Sequence, residues 1–222
     1  INHYEIPEEK VDLAYNGANE RYHPITGERG EEVRDFYTAG DPYFVFVGNL
    51  HPRKNITNLL KAFQLFQDEN RGNYKLIIVG EKFFLTRSME EQLNRMKNKE
   101  DVIFTGRLDT DQLNDVLGAA WAMTFVPYFE GFGIPVLEAM KCDIPVIASN
   151  VTSLPEIAGD AALYAYPDSP GSIRDAMMRM VREEGLRESL IERGRERRKQ
   201  YSWDHTAEML WNSISQVLES DA

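Results

Sequence analysis

One cysteine, Cys142, is all that 222 residues contain, so the chain can form neither an intrachain disulfide nor a thiolate-rich metal site. Histidine is nearly as scarce. His3, His23, His51 and His205 are scattered without ligand-like spacing, and no metal is expected. Positive charge is the minority sign: 25 Lys+Arg stand against 36 Asp+Glu, a formal net charge of −11. Such a surface repels polyanions, which argues against nucleic acid or an anionic membrane as the main partner. No apolar run reaches the roughly 18 residues of a membrane span. The most apolar window, 116–129, is interrupted by Gly118, Thr124 and Pro127. A signal-peptide pattern is also lacking, and a reducing cytoplasm is the expected compartment. The chain opens on Ile1 rather than Met, which is expected of a fragment or a processed product.

What is present is enough for a core. Hydrophobic residues make up 42% of the chain and aromatics 11%, which excludes wholesale disorder. Residues 1–42 carry Pro7, Pro24, Pro42 and several glycines; they read as a linker or edge segment with one short strand around 11–15. From Tyr43 onward, short apolar runs rich in β-branched and aromatic residues fall at Tyr43–Val47, Lys75–Val79, 102–105, 122–126, 145–148 and Ala162–Ala165. Each is apolar on both sides of the pleat, as strands covered on both faces must be. Helical spacing separates them. Ile56, Leu59, Leu60, Phe63 and Phe66 share one face; Met89, Leu93 and Met96 do so more weakly. Asp109 or Thr110 caps a helix carrying Leu113, Val116 and Leu117. This alternation predicts right-handed crossovers and a Rossmann-like parallel α/β sheet with helices on both faces. After Pro170 only helices follow, the last over 203–218. The basic run 193–199 is interleaved with Glu196 and reads as a solvated helix face.

Open parallel sheets bind ligands beyond the carboxyl ends of their strands, so the loops after the strands carry the candidates. In the first loop, Gly48 permits a tight turn, and Arg53 with Lys54 brings two cations to a helix start. A phosphate or pyrophosphate would be attracted there; ion pairs with surface carboxylates are the other reading. In the second loop, Gly131 and Gly133 flank Phe132, and Pro135 sits where a first helical turn tolerates it. Bare N–H groups at that helix start would form a second anion site. Glu138 lies four residues beyond Ile134, about 6 Å along the helix axis, a span from a phosphate to a ribose diol. Glu130 precedes the turn and would look into the same cleft. Otherwise Glu138 is a first-turn carboxylate and Glu130 a loop charge. In the third loop, Gly106 would let backbone approach a flat base with Arg107 beside it, or simply end a strand.

Taken together these stretches resemble one family. Glu130-Gly131-Phe132-Gly133-Ile134-Pro135-Val136-Leu137-Glu138, two glutamates with seven residues between them, is similar to the signature of the retaining group 1 (family 4) glycosyltransferases. The likeness continues through Pro145-Val146-Ile147-Ala148-Ser149, Leu154-Pro155-Glu156-Ile157, Val102 to Leu108 and Tyr201-Ser202-Trp203. Residues 10–17 resemble the segment that leads into that family's second domain. The resemblance covers nearly the whole chain in matching order.

It implies the donor-binding half of a GT-B enzyme: a linker or edge segment over 1–42, a nucleotide-sugar domain over 43–200, and a C-terminal helix over 201–222 crossing back to an N-terminal acceptor domain. Arg53 and Lys54 would then hold the donor diphosphate with the Phe132, Gly133 and Ile134 backbone. Glu138 would hold the ribose, Gly48, Gly106 and Arg107 would border the nucleotide, and Glu130 would face the sugar or leaving phosphate. Arg53, Lys54 and Glu130 are the catalytic candidates. No cofactor is implied beyond a UDP- or GDP-sugar as substrate, and cations with helix N–H groups would replace a metal at the leaving group. Two departures stand out: Asn49 where many members carry Arg, so that Arg53 takes over that cation's role, and Pro127 where Ser is common. The alternatives are a sugar-nucleotide epimerase of the same architecture and a non-catalytic nucleotide-sugar-binding module. A dinucleotide-dependent dehydrogenase is disfavoured, since residues 48–55 lack its glycine fingerprint.

Overall fold

In the computed structural model, which describes residues 7–81 and 86–220, the apolar runs form one six-stranded sheet. Its strands are β1 (Tyr43–Val47), β2 (Lys75–Val79), β3 (Val102–Gly106), β4 (Ala122–Phe125), β5 (Val146–Ser149) and β6 (Ala162–Ala165). The order is β3-β2-β1-β4-β5-β6, and every pairing is parallel. All six expected strands are therefore present, with ends shifted by a residue. Strands β1, β4 and β5 are buried at every position, which explains why they are apolar on both sides.

The helices are α1 (Gly27–Thr38), α2 (Ile56–Glu69), α3 (Arg87–Arg95), α4 (Thr110–Gly118), α5 (Ile134–Lys141), α6 (Leu154–Ala158), α7 (Pro170–Arg182), α8 (Leu186–Arg198) and α9 (Trp203–Ser220). Asp109, not Thr110, caps α4: its carboxylate accepts from Gln112 N, and Gln112 reciprocates. Right-handed crossovers put α2 and α3 on one face of the sheet and α4 and α5 on the other. Helix α7 packs on α2, α8 on α5, and α1 on α4. The core runs through both layers, from Phe44, Phe63 and Phe66 to Val136, Ile147 and Met177.

Three expectations need correction. Residues 11–15 form no strand; they run along α9, where the Thr206 hydroxyl donates to Tyr15 O and Ser213 donates to Asp12 at 2.6 Å. Second, the supposed linker contains α1, capped by Thr26, which accepts from Arg29 N. Its sparse apolar residues hid it: only Val33 and two small neighbours are buried along its twelve positions. Third, the basic run is not merely solvated. Arg198 donates to Met140 O, Lys141 O and Asp143, bonding the last carbonyls of α5, of which Met140 O also accepts from Asp143 N. Arg197 likewise donates to Ile157 O and Glu156 O at the end of α6. These arginines staple α8 to two helix ends.

Candidate functional site

The order of the strands reverses between β1 and β4, and the crevice beyond the carboxyl ends at that point is the natural ligand position. The loop after β1 borders it. Gly48 has φ +145° and Gly80, after β2, has φ +148°; a Cβ on Gly80 would stand 2.0 Å from the Gly48 carbonyl oxygen. Only glycine lets these two loops close on each other, and Gly48 N donates to Val79 O across the contact. Beside them opens a cavity of about 460 Å³ lined by Gly48, Asn49, Gly80, Glu81, Arg107 and Leu108. Gly106, at φ +72° with open space where a Cβ would point, turns the chain at the end of β3. Two of the sequence-derived candidates, Gly48 and Arg107, thus line one space, and Gly106 adjoins it, its carbonyl accepting from Gly80 N.

The cations sit on the other side of Gly48. Pro52–Lys54 form a single 3-10 turn whose start is held by His51, its Nδ1 accepting from Arg53 N at 3.2 Å. Lys54 is almost wholly buried, with Nζ 4.8 Å from the centre of the Phe125 ring. It makes a close ion pair with the Glu130 carboxylate, which Arg53 joins at 3.3 Å. Arg53 also donates to Phe129 O at 3.2 Å. Burial lowers the Lys54 pKa from its ordinary value, Glu130 opposes that shift, and neighbouring Arg53 adds to it. Two cations and one carboxylate leave a net positive charge at the mouth of the crevice, inside a strongly acidic protein.

The glycine-flanked turn is built as expected. Gly133 has φ +113° and stands at the start of α5, which no side chain caps, and Pro135 lies in its first turn. Pro135 has no N–H and Val136 N donates to Gly133 O, so the backbone that α5 turns toward an anion is that of Ile134 and the turn ahead of it. Sequence reasoning missed what holds this turn. Ser153 donates to both Glu130 O and Phe132 O, at 2.9 and 2.8 Å, and the Thr152 hydroxyl accepts from Glu130 N. Their only signal was a position just ahead of Leu154-Pro155-Glu156. Phe132 packs against Tyr15 and Tyr201, with ring centres 6.2 and 6.0 Å away.

Glu138 lies in the first turns of α5, mostly buried, and burial raises its pKa above the usual carboxylate range. Its polar neighbour is the Tyr22 phenol, which partly offsets that shift. Nothing in the local sequence pointed to Tyr22, because it arrives from the segment read as a linker. A larger cavity, about 510 Å³, opens at the opposite, amino ends of the strands between Pro42, Trp121 and Ile144, and holds none of the candidates. Among the described residues no group of His, Cys, Asp and Glu is arranged to hold a metal ion. Nor is any described helix long and apolar enough to cross a membrane.

A parallel α/β sheet with helices on both faces, carrying a cationic pair and an uncapped helix start at its switch point, defines the fold class. Residues 31–197 match the family described as Glycosyl transferases group 1, and the chain belongs to that family. It is 34% identical over 173 residues to O-antigen chain mannosyltransferase B of Escherichia coli, covering 78% of this chain and 45% of that protein. Two solved structures share the fold. Sucrose-phosphate synthase of Thermosynechococcus elongatus superposes with a TM-score of 0.79 at 24% identity, over 94% of this chain and 53% of that one. Anabaena Alr3699/HepE, in complex with UDP and glucose, does so with a TM-score of 0.82 at 16% identity, over 99% and 59%. The chain spans less than half the length of the mannosyltransferase it matches.

Proposed function

We propose that this chain is the donor-binding half of a retaining hexosyltransferase that uses a nucleotide diphosphate sugar, most closely a mannosyltransferase. The observation that carries the reading is the Arg53–Lys54–Glu130 cluster facing the uncapped start of α5. Donor cleavage breaks the bond between the anomeric carbon and a phosphate oxygen, whose electron pair leaves with the nucleoside diphosphate. Arg53, Lys54 and the N–H groups of Phe132, Gly133 and Ile134 are fixed where that negative charge develops, and they need no reorganisation to meet it. An arriving diphosphate competes with Glu130 for Lys54 and frees the carboxylate to face the sugar. Glu138 accepts from the ribose, and Arg107 with Gly48 borders the base in the 460 Å³ cavity, which Gly106 adjoins at the end of β3. The acceptor is held by a further domain, toward which α9 returns; the greater length of the relatives supports this. HepE, whose structure contains UDP and glucose, supports a nucleotide-sugar donor.

Calorimetric titration with UDP, GDP and ADP in the presence of EDTA tests the site. Saturable binding of one nucleotide is expected, and Arg53→Ala with Lys54→Ala should weaken it by about tenfold or more, since two charge-assisted contacts disappear. Unchanged affinity in the double variant overturns the assignment.

A further inference from the structure

On the far side of the Pro52–Lys54 turn from the donor crevice lies a second, smaller pocket of about 280 Å³. It is set between the first turns of α2 and α3, with Tyr128 after β4 as its third wall. Apart from Lys61 its described lining is uncharged, and it is rich in hydrogen-bonding groups: Asn55, Asn58, Thr57, Thr86, Ser88 and the Tyr128 phenol. In a chain of net charge −11, no carboxylate is among the described residues that line it. Lys61 is the cation among the described lining residues, and its ammonium donates to Asn58 Oδ1 at 3.5 Å. Sites for drug-sized ligands run from about 300 to 1,000 Å³, so a nucleotide is too large for this space and a single sugar ring is not.

The groups are also fixed and partly unused. Asn58 donates to the Tyr128 hydroxyl at 2.9 Å and to Pro167 O at 3.1 Å. Tyr128 N in turn donates to Arg53 O, so the ring is anchored at both ends. Its face is 42% exposed, and Phe129 beside it is 60% exposed. Asn55 is 2% exposed; both its amide donations are taken, by Val126 O and Pro167 O, while its Oδ1 finds no donor. Thr57, Ser88 and Thr86 form a chain of hydroxyls at 3.4 and 2.9 Å. One amide oxygen without a donor, a second held only by a long bond from Lys61, hydroxyls of either role and an anchored aromatic face suit a sugar ring. Its hydroxyls donate to the amides, and its weakly positive C–H groups lie against the electron-rich ring face.

We propose that this pocket is a carbohydrate subsite that takes one neutral hexose unit of the acceptor glycan. The inference rests on the sugar-transfer reading for the identity of the glycan, and it adds a place where a growing chain is held beside the phosphate turn. Because Tyr128 N is bonded to Arg53 O, an occupied pocket stiffens the turn that carries Arg53 and Lys54.

The test titrates the chain with an α-linked mannose trisaccharide, followed by NMR of the Thr57 and Ser88 amides, with nucleotide calorimetry in parallel. Saturable shifts are expected. Tyr128→Ala and Thr57→Val, both on the pocket rim, should each lower trisaccharide affinity about threefold to tenfold, the loss of a stacking face or a hydrogen bond, with nucleotide affinity unchanged. Absence of trisaccharide binding to the unaltered chain overturns the subsite, as does equal affinity in both variants. Inorganic phosphate moving the same amides in its place also overturns it, assigning the pocket to an anion. Nucleotide binding without trisaccharide binding removes the subsite and leaves the donor site. Trisaccharide binding without nucleotide binding does the reverse.

Discussion

Among single residues, burial decides how the charged groups behave. Glu138 has its carboxyl group mostly withdrawn from water, so its folded-state pKa lies above its unfolded one. A carboxyl of this kind contributes stability at pH values below its unfolded pKa, and that contribution is lost as pH rises through the folded value. Glu138→Gln is therefore expected to raise the melting temperature at pH 8 and to leave it nearly unchanged at pH 4, read by thermal unfolding at both. If Glu138 holds the ribose, the same variant binds nucleotide more weakly while being more stable. Cys142, also buried, is a contrasting case: burial pushes its thiol up to about 12, and it packs as an inert side chain. The two glutamates were legible in the sequence from their spacing around a glycine-rich turn. Tyr22, the neighbour that sets the environment of Glu138, was not, since 116 residues separate the two and only the fold joins them.

Elements meet through backbone as much as through side chains. The close approach of Gly80 to the Gly48 carbonyl leaves no space for a methyl group, and both residues have backbone angles that side chains disfavour. Gly80→Ala should cost about 2–3 kcal/mol in urea unfolding and deform the cavity that Gly48 and Arg107 share. Helix α8 supplies a second case. Arg198→Ala strips donors from Met140 O, Lys141 O and the Asp143 carboxylate, with an expected loss of about 1–3 kcal/mol. Arg198→Lys should recover only part of it, because one ammonium cannot reproduce the guanidinium fork. Charge pattern alone made these arginines look solvated. Their sequence spacing carries no record of which carbonyls lie opposite, and those carbonyls belong to helices more than fifty residues upstream for α5 and about forty for α6.

At the level of the whole molecule, α9 is the outlier. Leu210, Trp211, Ile214, Val217 and Leu218 are each more than half exposed, and its described contacts run mainly to the segment 10–17. A Cβ on Gly17 would lie 2.4 Å from Trp203 N, so the two segments run in backbone contact where α9 begins. An apolar face of this extent is costly in water, and the chain by itself is expected to self-associate with rising concentration in sedimentation velocity runs. Leu210→Lys with Ile214→Lys should return it to a monomer. A monomeric unaltered chain at high concentration would contradict this expectation.

The parallel sheet, the cation pair and the glycine turn were determined locally. Two-sided apolar runs of four or five residues have few alternatives to a covered parallel sheet, and glycine with proline at a helix start restricts the backbone wherever it occurs. What only tertiary structure decided are the long-range partners: Glu130 against Lys54, Ser153 against the glycine turn, Tyr22 beside Glu138, α1 on α4 and the arginines of α8 on foreign helix ends. Each of those depends on which surfaces the crossovers bring together. The energy that selects them is spread over the whole core, and no window of sequence contains it.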